Sequence, residues 1–487
     1  MPASVDRAPT RRARVRALAE WTLLGALVGI VTGNASALFL ALLELATSTR
    51  VASPYLVYAL PLAGLGMGAL YARFGDSVRA GNNLIIDTIH DEGPELPLRM
   101  APMVLVGTVL THLFGGSAGR EGTAVQMGAS LADALAHRLH IEPSVRRDLI
   151  AAGVAGGFGS VFGTPVAGAI FGLEFVVLGR IEYRALVPAL LASLVGDLTT
   201  RAWGIQHVHY PVPAPLDLSV LLLLKWALFA AAIALVCAVF IELTHFLKRQ
   251  GERLLPSLSA RMFVGGLIVV CLWQLFGSDD YLGLGVPTIL RSFSDPDLPS
   301  LAFAAKLLFT AVTLAAGFIG GEVTPLFFIG AALGNLLAGV LGLPLELAAG
   351  VGLAATFACA SNTPLALSVM AVELLGGALF PHVVIVCVLA YVMSGHRSIY
   401  PAQRLLRDKA GRAFGSPIAL RELSQPHPHR WSQTLRSWGS TRAAQGEGRV
   451  VPTTHTSAST ETTPAGESGQ ADAALREDND PSDDTAR

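Results

Sequence analysis

The sequence predicts an all-α membrane protein built from two inverted-topology repeats, and two observations lead to this prediction. The first is composition. Apolar stretches separated by short charged loops run from Trp21 to about Val392, 52% of the chain is hydrophobic and the mean hydropathy is +0.53. The chain also carries 50 glycines, which is typical of helices that pack closely in a bilayer. The second observation is a pattern of residues that occurs twice in the same order.

The repeated pattern consists of two matching pairs of segments. GREGTAVQMGA begins at Gly119 and GGEVTPLFFIGA begins at Gly320, and each has a glutamate at its third position and a threonine two residues later. About forty residues after each glutamate, GTPVAGAIFGLE begins at Gly163 and NTPLALSVMAVE at Asn362, offset by 199 positions. An internal duplication in a membrane protein indicates a transporter whose substrate site lies where the two repeats meet.

Several apolar stretches are too short to span a bilayer, which takes about 20 helical residues. They lie at Met100–Gly115, Leu347–Cys359 and Pro364–Gly376. Short segments broken by Gly and Pro predict partial helices that end at a site in the middle of the membrane. Such ends are tolerated only where protein or a water-filled cavity surrounds them.

The distribution of basic residues predicts the topology. An arginine-rich arm at residues 1–17 is expected in the cytoplasm, as are the basic loops Lys248–Arg261 and His396–Arg412. The segment Gln206–Asp217 contains no Lys or Arg and is expected on the outer side. The first repeat would then start in the cytoplasm and the second outside, in a multi-pass protein of the inner (plasma) membrane.

The predicted organisation has three parts. They are the basic arm at 1–17, a transmembrane domain at 18–412 (repeat one about 18–205, repeat two about 217–412) and a disordered cytoplasmic tail at 413–487, rich in Ser, Thr, Pro, Asp and Glu. The four cysteines form no CxxC pair, and the chain has no HExxH motif and no P-loop lysine after its Gly-rich turns. We therefore expect no metal, no cofactor, no enzymatic activity and no nucleic-acid partner.

Glu121 carries the clearest functional signal. It follows Arg120 in a Gly-rich turn just before an apolar helix, and the N-terminus of a helix attracts anions. A carboxylate there can occupy the anion site itself and swing away when it is protonated, which would couple an anion to a proton. Acids inside a membrane are functional by default; the alternative is a glutamate that only caps its helix.

Glu322 and Thr324 occupy the matching turn of the second repeat. Glu322 has no neighbouring Lys or Arg in sequence and is a candidate proton relay or gate. Thr324 precedes Pro325, a residue favoured at the first helical position. Its hydroxyl can therefore either cap the helix or donate to an ion.

Three further polar residues are candidates with a plain alternative. Asn82 and Asn83 can point amide donors at an anion or can simply form a turn or a helix cap. Tyr400 can offer a phenol O–H from the cytoplasmic side or can be an interface tyrosine.

Glu174 and Glu373 each follow a threonine by ten residues, and this symmetry predicts structural pairing at helix ends.

These motifs resemble those of the CLC family of chloride channels and proton-coupled anion antiporters, over about residues 17–412. The family motifs GSGIP, GREGP and GxFxP resemble Gly81–Ile85, Gly119–Thr123 and Gly321–Pro325, and Tyr400 is similar to the family's late tyrosine. The resemblance implies an all-α homodimer of inverted repeats with a separate anion pathway in each subunit. The gating or proton-carrying acids it implies are Glu121 and Glu322. The anion-site candidates are Asn82, Asn83, Gly119, Arg120, Gly122, Val323, Thr324, Phe327, Phe328 and Tyr400.

The departures from the family motifs point to one branch of the family. Asn82 stands where chloride-selective members have serine, Thr123 replaces a proline, and Val323 replaces a phenylalanine. Phe175 stands where many chloride/proton antiporters have a second, inner acid. These features are similar to the bacterial CLC-F branch, which exchanges fluoride for protons and relieves fluoride toxicity.

The resemblance thus implies a proton-coupled fluoride exporter whose partners are fluoride, protons and lipid. Fluoride is small and strongly hydrated, so its site must replace water with good donors such as amides, hydroxyls and positive aromatic edges. The alternatives are a chloride channel or chloride/proton antiporter, and a transport-inactive membrane scaffold or sensor. Loss of the motif serine and the presence of Phe175 disfavour the first, and Glu121 in its Gly-rich turn disfavours the second.

Overall fold

The computed structural model describes residues 10–90, 95–178, 183–407, 409 and 413–423, and these are mainly helical. The helices are α1 (Arg11–Ala52), α2 (Leu60–Phe74), α3 (Asn82–Ile89), α4 (Met100–Leu113), α5 (Glu121–Arg138), α6 (Pro143–Phe162), α7 (Pro165–Glu174), α8 (Leu186–Ala202), α9 (Val220–Leu254), α10 (Leu258–Phe276), α11 (Val286–Arg291), α12 (Ala302–Ala316), α13 (Val323–Leu341), α14 (Leu345–Ser361), α15 (Pro364–Leu375), α16 (Phe380–Met393) and α17 (Leu420–Leu423). The strands are β1 (Val177–Leu178), β2 (Arg404–Arg407) and β3 (Ala413–Ala419).

The fold combines long and short apolar helices, as expected for a multi-pass membrane protein. Among the described residues, six helical segments are long and apolar enough to cross a bilayer, including α1, α9 and α10. The three short stretches in the sequence form α4, α14 and α15, of 14, 17 and 12 residues. The prediction of partial helices at these places is confirmed.

The helices α5 to α8 are repeated as α13 to α16, and both repeats pack through the same kind of glycine contact. A Cβ added to Gly128 on α5 would lie 2.2 Å from the Gly153 carbonyl oxygen on α6. In the second repeat, a Cβ on Gly330 of α13 would lie 2.1 Å from the Gly352 oxygen on α14. The backbones of these helix pairs therefore touch, and only glycine allows that approach.

The two repeats also hold each other through a reciprocal pair of carboxylates. Glu174, at the end of α7, accepts hydrogen bonds from the Leu365 and Ala366 N–H groups at the start of α15, at 3.1 and 2.8 Å. Glu373, near the end of α15, accepts from the N–H groups of Val166 and Ala167 at the start of α7, at 2.9 and 2.8 Å. Each carboxylate satisfies the free donors of the opposite helix, so the predicted pairing at helix ends is confirmed.

A small sheet adds to the helical fold. Strand β2 pairs in parallel with β1 and antiparallel with β3. Beside it, Asp87 on α3 accepts hydrogen bonds from Arg404 on β2 and Arg421 on α17. This pairing orders residues 413–423, which differs from the expectation that the disordered tail starts at residue 413. The rest of that predicted tail, residues 424–487, lies outside the described residues.

The reciprocal carboxylates give a prediction about stability. The Glu174 carboxylate caps α15, and Glu174→Gln exchanges it for a neutral amide. We expect the unfolding free energy to fall by about 1–2 kcal/mol. The measurement is the melting temperature of the purified protein in detergent. Glu346→Gln, at an exposed residue in the first turn of α14, is the control. Equal melting temperatures for the two variants would contradict the capping role.

Candidate functional site

The two repeats meet at a backbone bridge between their glutamate-containing turns. The Gly119 N–H donates to the Gly321 carbonyl at 2.6 Å, and the Gly321 N–H donates to the Gly119 carbonyl at 2.8 Å. A Cβ on Gly119 would lie 3.0 Å from Gly321 O and from Thr324 N. The small residues at these turns therefore let the N-termini of α5 and α13 converge on one point.

The Glu121 carboxylate lies at this point of convergence. Its side chain is buried, and both of its oxygens lie 2.6 Å from Thr324 Oγ1, which donates to them. The Thr324 N–H donates to Oε2 at 3.1 Å, so the carboxylate of the first repeat occupies the N-terminus of the helix of the second. From its own repeat, Arg120 contributes its backbone N–H at 3.2 Å and its Nε at 3.4 Å.

The position of Thr324 decides between its two predicted roles. Helix α13 begins at Val323, with Glu322 at the N-cap position. Pro325 is thus the third helical residue, and the expectation that it is the first is wrong. The Thr324 hydroxyl donates to Glu121 and makes no capping bond, because its residue already lies inside the first turn. Val323 is buried beside it.

Two cavities approach the site from opposite ends of the helices. One, of about 370 Å³, is lined by Leu258 and Arg261 at the start of α10. The other, of about 730 Å³, is lined by Asp279, just after the end of α10. A helix of 19 residues is about 28 Å long, so we call these the inner and outer cavity, following the predicted cytoplasmic position of the basic loop 248–261. Arg120 lines the outer cavity, and Glu121 lies beyond it without lining either.

Asn82 and Glu322 approach the site from the inner cavity, which both line. A Cβ on Gly122 would lie 3.0 Å from Gly321 Cα, 3.4 Å from Asn82 Nδ2 and 3.9 Å from Glu322 Oε2. Both side chains therefore lie against the residue that follows Glu121. Within the described residues, the Oδ1 of Asn82 is buried and has no hydrogen-bond partner.

Asn83 and Tyr400 are held differently. The Asn83 Oδ1 accepts a hydrogen bond from the Ala402 N–H at 3.0 Å, so this side chain fixes the segment that carries Tyr400. Tyr400 is buried, lines the inner cavity and packs edge-on against Phe175, with ring centroids 5.7 Å apart. The aromatic residue at the position of the missing inner acid thus supports the tyrosine.

The structure separates the two phenylalanines that were expected near the ion. Phe327 joins a cluster of rings and lies 5.3 Å from Phe162 and 5.9 Å from Phe357. Phe328 lies on the other side, 6.2 Å from Tyr281 and 5.4 Å from Lys306 Nζ. Successive residues of a helix point about 100° apart, and the two rings therefore pack against different neighbours on two sides of α13.

The arrangement is suited to exchanging one anion for another. The Glu121 carboxylate is held by a hydroxyl and a backbone N–H where two helix N-termini meet. A small anion in the same place would find the same donors. Adding a proton to this carboxylate removes its charge, and with it much of the attraction that holds it there. Glu322, an acid that lines the inner cavity, is placed to carry protons, and the cations Arg79, Lys248 and Arg261 of the same cavity attract anions.

Comparisons with known proteins agree on one family. A family model described as voltage gated chloride channel matches residues 63–395. A protein named chloride/fluoride channel protein, from Pseudomonas syringae pv. tomato, is 45% identical over 430 residues, which cover 86% of this chain and 94% of the relative.

Two solved structures match as well. The chain is similar to a CLC-type fluoride/proton antiporter at a TM-score of 0.77 and 36% identity, over 82% of this chain and 100% of the other. A slow cyanobacterial Cl⁻/H⁺ antiporter matches with a TM-score of 0.67 and 21% identity, over 77% of this chain and 94% of the other, which shows the shared fold.

Proposed function

We propose that this chain, which belongs to the CLC family of voltage-gated chloride channel proteins, exports fluoride in exchange for protons. One observation carries the proposal: the Glu121 carboxylate accepts two donors from Thr324 at the joined N-termini of α5 and α13. The Pseudomonas relative and the 36% identical antiporter of known structure are both named for fluoride, which supports the choice of anion.

Glu121 is the proposed gate and proton carrier. While ionised, it occupies the anion place and closes the path between the two cavities. When protonated, it loses its charge-assisted hydrogen bonds, which are about twice as strong as neutral ones, and it leaves the site. Fluoride then takes its place, and the return of the ionised carboxylate expels fluoride after the proton has left on the other side.

Three groups would replace the water shell of fluoride. The Thr324 hydroxyl and backbone N–H already donate to an anionic oxygen. The Asn82 amide has free donors, lines the inner cavity and lies against Gly122. Fluoride is strongly hydrated and needs good hydrogen-bond donors to replace its water shell. Larger anions lose less hydration free energy in an apolar site, so a site rich in donors favours fluoride. Of the two asparagines, we assign Asn82 to the ion and Asn83 to the support of Tyr400.

Glu322 is the proposed inner proton site. It takes the place of the acid that Phe175 has replaced, because it lies between the inner cavity and the residue after Glu121. Tyr400 marks the inner end of the anion path, and its ring is held by Phe175 and its chain by Asn83. Phe327 and Phe328 would act as packing residues behind the site.

In the cell, this exchange would use the inward proton gradient to remove fluoride across the inner membrane and confer fluoride resistance. We further propose a homodimer with one pathway in each subunit. The exposed leucines of α8 recur every fourth residue and form one apolar stripe that lipid or a second copy would cover; they are Leu186, Leu190, Leu194 and Leu198. A chloride channel or chloride/proton antiporter is the second candidate, since the Pseudomonas relative's name includes chloride and channel.

The direct test is ion flux from proteoliposomes, read with fluoride and chloride electrodes and a proton probe. We expect fluoride efflux with opposite proton movement, much faster than chloride efflux. Glu121→Gln cannot ionise, so we expect it to lose proton transport by at least about tenfold, while Glu346→Gln stays like the parent. Chloride flux comparable to fluoride flux would favour the chloride channel or chloride/proton antiporter. Proton-coupled transport that stays intact in Glu121→Gln would contradict the proposed role of Glu121.

The two asparagines form a matched pair for selectivity. Asn82→Ala removes a proposed fluoride donor, and we expect fluoride efflux to slow by about tenfold, the effect of one hydrogen bond to a charged group. Asn83→Ala frees the Tyr400 segment, so we expect a lower melting temperature in detergent and a smaller change in the ratio of fluoride to chloride efflux. If Asn83→Ala slows fluoride efflux and Asn82→Ala mainly lowers the melting temperature, the assignment of Asn82 to the ion is wrong.

A further inference from the structure

The outer cavity contains a buried arginine that the gating mechanism does not use. Arg50, near the end of α1, lines this cavity together with Arg120. Its relative exposure is 8%, and its Nε is buried with no hydrogen-bond partner among the described residues. A buried N–H donor without a partner is costly, and so a guanidinium in this state beside a cavity indicates a ligand. We propose that Arg50 is the centre of a second halide site, which binds fluoride in the outer cavity before or after the exchange at Glu121.

The carboxylates near Arg50 are engaged elsewhere. Asp279 accepts a hydrogen bond from Trp273 Nε1. Asp280 accepts from Thr288 Oγ1 at 2.9 Å and lies 3.6 Å from Arg291 Nη1. Within the described residues, no carboxylate oxygen lies within 4 Å of the Arg50 guanidinium. The third acid of the cavity, Glu44, is exposed to solvent. Asp279 attracts Arg50 without a hydrogen bond to it, so the Arg50 guanidinium remains available to a mobile anion in the cavity that it lines.

A second buried basic side chain lies behind the same wall of the cavity. Lys306 on α12 has no exposed surface, and its Nζ donates to the carbonyls of Tyr281 and Gly283 at 3.1 and 2.7 Å. Arg50 Nη2 lies on the other side of this turn, 3.8 Å from the place that a Cβ would take on Gly283. Two basic side chains therefore lie beside one turn, and the described residues place no carboxylate oxygen within 4 Å of either.

The chemistry of the site selects a small monovalent anion. Arg50 offers an N–H donor in a cavity that Arg120 also lines, and Arg120 holds Glu121 at 3.4 Å. An anion beside Arg50 would compete with Glu121 for the positive field of Arg120 and would hold fluoride ready for exchange at the outer face. The inference rests on the proposed function only in naming fluoride as the halide.

The test is the fluoride concentration that gives half-maximal exchange in proteoliposomes. We expect Arg50→Gln to raise this concentration by about tenfold, the effect of one charged hydrogen bond, and to change the maximal rate less than twofold. Arg50→Lys keeps the charge and should give an intermediate value. Arg201→Gln removes an exposed arginine of the outer end of α8, paired with Asp197, and should behave like the parent.

The outcomes separate this inference from the proposed function. If Arg50→Gln and Arg201→Gln have the same half-saturating fluoride concentration, the second site is wrong even though fluoride exchange stands. If the parent moves no fluoride, the proposed function is wrong, and the same titration with chloride still tests Arg50. If Arg50→Gln does not fold, Arg50→Lys decides, and an unchanged half-saturating concentration in that variant overturns the site.

Discussion

The structure depends on the contact between the backbones of Gly119 and Gly321. Two hydrogen bonds of 2.6 and 2.8 Å join the turns that start α5 and α13. Because both helices begin at this bridge, their free N–H groups and their positive dipole ends converge, and a carboxylate from one repeat reaches a threonine of the other. Each repeat supplies one partner of the contact between Glu121 and Thr324.

Symmetry is used for structure at one place and broken for function at another. The carboxylates of Glu174 and Glu373 cap each other's repeats in the same way. At the centre, the matching residues differ in use: Glu121 is buried against Thr324, whereas Glu322 faces the inner cavity. We propose that this difference lets one acid close the path while the other exchanges protons with the inner cavity.

The sequence predicts much of this fold because its signals are local or repeated. Short apolar stretches predicted α4, α14 and α15, and a Gly-rich turn placed Glu121 at the start of a helix. What it could not predict depends on contacts between remote elements. Asn82 and Asn83 are neighbours in sequence, and only the position of Ala402 shows that the Asn83 side chain already accepts a backbone hydrogen bond. Arg50 on α1 and Lys306 on α12 lie beside one turn at the outer cavity, and no spacing in the sequence relates them.

Competition between Glu121 and fluoride for one place can be measured by calorimetric titration of sodium fluoride into the purified protein. Removing the competing carboxylate in Glu121→Ala leaves the Thr324 donors free. We expect this variant to bind fluoride about tenfold more tightly than the parent, while Glu346→Ala binds it equally. Unchanged or weaker binding in Glu121→Ala would mean that the carboxylate and the anion occupy different places.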